Sequence, residues 1–181
     1  MSKHYSFEFF PPKTDAGAVK LRDVYTALAT LKPEYFSVTY GAGGSTRDRS
    51  LGTVLEIQRE SGRPAAPHLS CIGDSKAELS ELLQTYIDNG IRHIVALRGD
   101  LPSGMGGAHG ELAYAADLVR FIRDTTGDHF HIEVAAYPEC HPQAANLDAD
   151  IGHFVHKVKQ GASSAITQYF FNADSYFHFV E

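Results

Sequence analysis

Apolar runs in this chain repeatedly stop on a polar or reactive side chain. They end at Glu8, Thr39, His68, Arg98, Tyr137 and Gln168. The spacing is roughly thirty residues, the length of one strand–helix–strand step. The runs themselves are Tyr5–Phe10, Tyr35–Tyr40, Ala66–Cys71, His93–Leu97, His131–Tyr137 and Ser164–Phe171. Several are continuously apolar or aromatic, as strands covered on both faces are. A set of buried strands, each ending in a functional group, predicts the rim of a β/α barrel, where such folds carry their chemistry.

Helical periods fill the intervals. Leu21, Val24, Leu28 and Leu31 follow a 3–4 spacing, and Leu51, Val54 and Leu55 repeat it briefly. Leu79, Leu82, Leu83, Tyr86 and Ile87 form the clearest stripe, with a capping box at Ser75–Glu78 before it and Gly90 as its stop. Leu118, Val119 and Ile122 mark a fourth helix. Leu147, Ile151, Phe154, Val155 and Val158 mark a fifth, and a sixth begins near Asp174. Alternation of this kind makes the strands parallel with right-handed crossovers. An open doubly wound sheet would place GxGxxG after its first strand, but Pro11-Pro12 stands there instead. The expected fold is therefore α/β, of the (β/α)8 TIM-barrel family, with about six of the eight βα units in this chain. No linker-like stretch interrupts residues 1–181, so a single domain is expected, incomplete at its C-terminus.

Composition narrows the function. With 43% hydrophobic and 21% charged residues the chain is expected to fold around one core. A net charge of −6 without a Lys/Arg run argues against nucleic acid or an anionic membrane as partner. No apolar stretch approaches a membrane span of about 20 residues, and no leader-type segment opens the chain. Two cysteines, Cys71 and Cys140, without a CxxC pair fit reduced thiols in the cytoplasm.

Several residues are candidates for chemistry. Period-two alternation puts Ser6, Glu8 and Phe10 on one strand face. A carboxylate set among aromatics loses solvation and stays protonated more readily, as a general acid must. The alternative is a buried glutamate paired with Arg98 or Lys157. Arg98 and Asp100 sit at a strand end, where they can meet a polar ring edge or a phosphate, or simply tie the strand to its loop. Thr39–Thr46 leaves a strand through glycines that permit close backbone approach and then enters a helix start suited to an anion. Gly104–Gly107 has no strand before it and reads as a loop. His68 and His141 stand at rim positions suited to hydrogen-bonding a cofactor. Phe170-Phe171 is expected in the core, and Tyr114 and Tyr137 are open between ligand contact and packing. The histidines, including His153 and His156 three apart on a helix, lack the three or four convergent ligands of a zinc site, so no metal is expected. There is no GxSxG elbow and no lysine at a strand end, which argues against a serine hydrolase and a Schiff-base aldolase.

Five segments in order resemble the methylenetetrahydrofolate reductases. They are Phe7-Glu8-Phe9-Phe10-Pro11-Pro12, Val38-Thr39-Tyr40-Gly41-Ala42-Gly43-Gly44, Leu97-Arg98-Gly99-Asp100-Leu101-Pro102, Ala135-Ala136-Tyr137-Pro138-Glu139 and Ala165-Ile166-Thr167-Gln168. Each alone is weak; together they span nearly the whole chain. The resemblance implies a β/α barrel that binds FAD without a covalent bond. It implies an oxidoreductase in which NADH or NADPH gives a hydride to the flavin and leaves, and 5,10-methylenetetrahydrofolate then takes its place and becomes 5-methyltetrahydrofolate. By the same resemblance Glu8 would be the general acid that opens the folate's five-membered ring. Asp100 would lie near the flavin, disfavour its reduction and contact the pterin, and Gln168 would contact folate or nicotinamide. Thr39, Tyr40, Ala42, His68, Arg98, Gly99, Tyr114, Ala115, Tyr137, His141, Ala144, Asp150 and Lys157 would line the flavin site, with Ala135 letting the ring approach. His153 and His156 stand where an amide and a basic residue are expected in bacterial relatives, and as hydrogen-bond donors they would serve the FAD phosphates. The partners implied are a small-molecule folate and, at full length, further copies of the same chain. The residues by themselves leave two rivals: another barrel enzyme acting on a phosphorylated metabolite, or a barrel fragment that binds ligand without catalysis.

Overall fold

A computed structural model describes residues 4–40, 44–99 and 110–181. Six strands alternate with six helices in chain order. The strands are β1 (Phe7–Phe9), β2 (Phe36–Val38), β3 (Ala65–Ser70), β4 (His93–Leu97), β5 (His131–Ala136) and β6 (Ser164–Thr167). The helices are α1 (Asp15–Ala29), α2 (Gly44–Ser61), α3 (Lys76–Asp88), α4 (Ala115–Thr126), α5 (Leu147–Lys159) and α6 (Ala173–Val180). All strand pairs are parallel, and the sheet order is β1-β2-β3-β4-β5-β6. The result is a half-barrel, part of a (β/α)8 architecture. Each expected strand and helix is present; β4 has its expected bounds, β3 is shifted by one residue, and β1, β2, β5 and β6 are shorter than their apolar runs suggest.

Capping explains where the helices begin and stop. Thr14 accepts the Gly17 amide at the start of α1, and Asn146 accepts the Ala149 amide at the start of α5. Ser75 and Glu78 form the expected capping box on α3. That helix ends at Asn89, and Gly90 follows with φ +71°, a conformation glycine adopts without strain.

Register assigns the two faces of the sheet. Glu8 pairs with Ser37, Ser37 with Ala66, His68 with Val95, Val95 with Glu133, and Glu133 with Ser164. Alternation therefore gathers Glu8, Ser37, His68, Val95, Glu133 and Ser164 on the inner, concave face. The opposite face carries Phe36, Val38, Leu69, Ile94, Ala96, Ile132 and Val134, which pack with helix residues such as Tyr25, Ile57, Leu83 and Ile122 in the core. Most of the core thus lies between sheet and helices, and the inner face is strongly polar. Strands β2 and β3 are buried at every residue, as their continuous runs predict, and the polar inner-face side chains Ser37, His68 and Glu133 are buried with them.

Helices α5 and α6 bury no residue fully. Val155 and Val158, part of the expected α5 stripe, are 41% and 47% exposed. Phe171 is 87% exposed, which corrects its assignment to the core, while Phe170 stacks on Tyr176 with centroids 5.4 Å apart. Strands β1 and β6 pair on one side only among the described residues.

Candidate functional site

The C-terminal ends of β4 and β5, the amino end of α4 and one face of α5 enclose a cavity of about 830 Å³, within the range of small-molecule and cofactor pockets. Its wall contains Arg98, Gly99, Tyr114, Ala115, Ala135, Tyr137, His141, Ala144, Asp150, His153, His156 and Lys157. All of these were cofactor candidates in the sequence, drawn from four separated stretches. Ala96, Leu97, Ala116, Asp117 and Gln143 complete the wall and escaped sequence reading. Asp117 had a signal, since it lies three residues after Tyr114 and accepts the Tyr114 amide at 2.9 Å. Gln143 had none.

Backbone geometry builds the floor. Gly99 has φ +88°, and Ser70 Oγ donates to the Arg98 carbonyl at 2.8 Å, so the strand ends of β3 and β4 are locked together. The Ile72 amide donates to the same carbonyl at 3.2 Å. On the far wall the Asp150 carboxylate accepts the His141 amide at 2.8 Å, which clamps the loop after β5 onto α5. His141 also meets the Tyr137 ring edge-on at 4.5 Å. Asp150, His153, His156 and Lys157 recur at three- and four-residue steps, so one face of α5 looks into the cavity.

Charge in the cavity is mixed. Arg98 and Lys157 supply cations, and Asp117 and Asp150 supply carboxylates. Lys157 donates to the Ala135 carbonyl and lies 5.5 Å from the Phe154 ring centroid. Burial pushes the Lys157 ammonium below its ordinary range, while Asp150 opposes that shift. The amino end of α4 adds a partial positive charge suited to an anion, partly offset by the Asp117 carboxylate. Small residues at Ala96, Gly99, Ala115, Ala116, Ala135 and Ala144 leave room for a flat group to approach the backbone.

The remaining candidates divide by position. Glu8 is on the inner face of β1, with its side chain 50% exposed. Phe7 and Phe9 point to the other face, toward Phe36, so Glu8 is not desolvated among aromatics as the sequence suggested. Nor does it pair with Arg98 or Lys157. Its Oε2 lies 3.2 Å from His68 Nε2, and His68 is buried. The Thr39 amide donates to Phe9, and its carbonyl accepts Ser50 Oγ at 3.1 Å. Tyr40 donates its hydroxyl to Asp74 at 3.0 Å. Thr39, Tyr40 and His68 belong to the neighbouring strand ends, outside the cavity wall. Gln168 is exposed, and its side-chain oxygen accepts the Tyr169 amide at 3.0 Å. Ala42 and Asp100, with the Gly104–Gly107 cluster, lie outside the described residues. No group of three or more His, Cys, Asp or Glu side chains suited to a metal occurs among the described residues.

A second polar cluster sits deeper on the inner face, toward the N-terminal ends of the strands. Tyr35 donates to Glu133 at 2.5 Å, and Ser164 donates to the other Glu133 oxygen at 3.1 Å. His93 Nε2 is 3.2 Å from Glu133, and His131 Nε2 is 2.6 Å from Ser164 Oγ. Sequence reading missed it, although His131 and Glu133 alternate with Ile132 and Val134 at period two. Burial alone would push the Glu133 carboxyl up, but His93, Tyr35 and Ser164 hold it below its ordinary value.

This wiring gives stability a pH dependence. Burial depresses the pKa of His68, against the opposing carboxylates of Glu8 and Glu133, and burial and His93 depress that of His131. The native fold thus holds two imidazoles neutral where an unfolded histidine charges, near 6.5. Below that pH the unfolded chain binds protons that the native chain does not, so stability falls as pH falls. Glu133 adds a loss at lower pH, as it is protonated through its depressed value. Each unit of depression is worth about 1.4 kcal/mol for a buried group, and less for the exposed His131, where solvent screens the charge. The melting temperature is expected to be level above about pH 7.5 and to decline toward pH 5. A midpoint that rose on acidification would reverse the assignment.

Comparison with known proteins assigns the family. A family model described as methylenetetrahydrofolate reductase matches residues 1–181. The 5,10-methylenetetrahydrofolate reductase of Pectobacterium carotovorum is 48% identical over 174 residues, covering 96% of this chain and 57% of that protein. The Escherichia coli enzyme of the same name is 47% identical over 174 residues, with the same coverage of both. An Arabidopsis thaliana methylenetetrahydrofolate reductase (NADH) is 37% identical over 188 residues, covering 97% of this chain and 32% of that protein. The chain therefore spans little more than half the length of its bacterial relatives. Among solved structures, an uncharacterized Clostridium thermocellum protein that binds two copies of 5-methyl-5,6,7,8-tetrahydrofolic acid superposes with TM-score 0.64 at 15% identity, covering 99% of this chain and 58% of that one. A 2,3-dimethylmalate lyase superposes with TM-score 0.63 at 8% identity, covering 98% and 61%; at such identities the two show the fold alone. With its five motifs in order, its half-barrel, and a family model matched from the first residue to the last, this chain belongs to the methylenetetrahydrofolate reductase family.

Proposed function

We propose that this chain supplies the cofactor-holding and acid-bearing part of an enzyme that reduces 5,10-methylenetetrahydrofolate to 5-methyltetrahydrofolate. One observation carries the reading. Twelve of the residues that family resemblance assigns to FAD, from four distant stretches of sequence, line a single cavity at the C-terminal mouth of the strands.

The donor set fits FAD. Arg98, Lys157, His153, His156 and the amino end of α4 suit a pyrophosphate. Gly99, Ala135 and Ala144 give a flat ring system close access to the wall. FAD, when bound, supplies a hydride acceptor for NADH or NADPH and a hydride donor for the folate. Lys157 and Arg98 hold negative charge, and Asp150 keeps the loop that carries His141 closed against α5. Glu8, half exposed on the inner face, holds a proton for the folate nitrogen that must leave the five-membered ring. Asp100 and Gln168 are assigned to pterin and nicotinamide contact by resemblance. Two free thiols, Cys71 and Cys140, and the lack of any described helix able to cross a membrane are in keeping with a cytoplasmic enzyme. Assembly of the full-length protein as a homo-oligomer belongs to the same reading.

The test is spectroscopic. The full-length protein should purify yellow, bleach with NADH or NADPH, and regain its colour when 5,10-methylenetetrahydrofolate is added. A colourless protein that binds no added FAD, or a bleached one that folate does not reoxidise, would overturn the reading. Lys157→Met should weaken FAD binding roughly ten- to a hundredfold, the worth of one charged hydrogen bond, measured by quenching of flavin fluorescence. Unchanged affinity would remove Lys157 from the site.

A further inference from the structure

Glu8 has one buried neighbour whose arrangement the reaction has not yet used. His68 projects from β3 onto the same inner face, one strand beyond β2. It is only 7% exposed. Its Nε2 is sealed from solvent and makes no regular hydrogen bond, yet it lies 3.2 Å from Glu8 Oε2. A buried ring nitrogen left without a partner costs free energy. At that distance a small rotation of the Glu8 carboxyl would align the pair and satisfy the nitrogen.

We propose that His68 is a positioning residue for Glu8, holding one carboxyl oxygen from below so that the exposed part of the group faces substrate. The inference rests on Glu8 being the acid of the proposed reaction. A neutral imidazole suits the task because its nitrogen can donate to a carboxylate in one tautomer and accept from a carboxyl in the other. It can therefore hold Glu8 both before and after the proton leaves. Burial keeps the ring neutral at neutral pH. The charged groups acting on it are Glu8 from β1 and Glu133 from β5. From the adjoining strands, register sets uncharged Val95 of β4 opposite it, and β2 pairs uncharged Ser37 and Val38 with the preceding Ala66 and Pro67. Protonation of His68 would remove the accepting state and favour the Glu8 carboxylate, so the acid would lose activity at low pH.

The experiment uses the full-length protein and five forms: wild type, Glu8→Gln, His68→Leu, His68→Gln, and the double variant Glu8→Gln/His68→Leu. The folate half-reaction of His68→Leu should slow roughly ten- to a hundredfold, as expected when a reacting group is misplaced. Its pH profile should shift, because the acid has lost its holder. Glutamine can present an amide near the position of Nε2, so His68→Gln should recover part of the rate but not the low-pH limb. The double variant should be no slower than Glu8→Gln alone. Losses that multiply in the double variant, or an unaltered pH profile in His68→Leu, would overturn the proposal.

A second readout does not require turnover. In the flavin-free protein, the ¹⁵N resonance of His68 Nε2 should follow the titration of Glu8 and lose that response in Glu8→Gln. A resonance indifferent to Glu8 would also overturn it. If Glu8→Gln itself leaves the folate half-reaction intact, the assignment of Glu8 as the acid fails instead, and the two failures are told apart.

Discussion

Glu8→Gln should slow the folate half-reaction by about a hundred- to ten-thousandfold, the usual worth of a general acid, while flavin reduction by the nicotinamide stays largely intact. The asymmetry is chemical. Opening the five-membered ring requires a proton on a nitrogen, whereas hydride transfer to a flavin from a nicotinamide does not draw on this carboxyl. Glutamine keeps the shape of the side chain and its contact with His68 Nε2, which lies 3.2 Å from the glutamate oxygen, but it carries no transferable proton. Because Glu8 is half exposed and belongs to the inner face, away from the Phe7 and Phe9 packing, the exchange should not disturb the core. Rapid-mixing measurement of each half-reaction separates the outcomes. Equal slowing of both halves would mean that Glu8 shapes the site rather than acting as the acid.

The parts of this molecule that sequence made legible share one property: they are local. The Ser75–Glu78 capping box, the Gly90 stop and the strand ends at Glu8, His68 and Arg98 depend on neighbours within a few positions. Lys157, His156, His153 and Asp150 share one face of α5 at three- and four-residue steps, but only the His153–His156 spacing was read locally, and family resemblance singled out Asp150 and Lys157. What sequence left hidden is long-range. Nothing near Glu8 in the chain announces that His68, sixty positions later, is its partner rather than Arg98 or Lys157. The Glu133 cluster was hidden for the same reason, since Tyr35 and Glu133 are brought together only by strand order. Aromatic content also misled. It suggested a desolvated Glu8 and a buried Phe171, because hydrophobic letters do not say which face of an edge strand is covered. Gln168 shows the remaining limit: its strand-end position was readable, but its bond to the Tyr169 amide was not.

The other large effect expected is structural and falls on Gly99→Ala. Two independent obstacles meet there. The residue has φ +88°, a region that side chains other than glycine rarely occupy. An added Cβ would also stand 2.0 Å from Ser70 Oγ and 3.1 Å from Ser70 Cβ. Rotation of the serine hydroxyl would relieve the first contact but would break its 2.8 Å bond to the Arg98 carbonyl, and the second contact would remain. Together the strain and the overpacking should cost about 2–5 kcal/mol. For a chain of this size that corresponds to a melting temperature lower by roughly 5–15 °C. Because Arg98 and Gly99 form the cavity wall, flavin retention should fall with it. The double variant Gly99→Ala/Ser70→Ala distinguishes the causes. It removes the hydroxyl clash but leaves the backbone conformation, so it should recover part of the stability and not all of it. Full recovery would assign the whole penalty to Ser70, no recovery would assign it to the backbone, and a Gly99→Ala protein as stable as wild type would show that this strand end is not locked as the distances require.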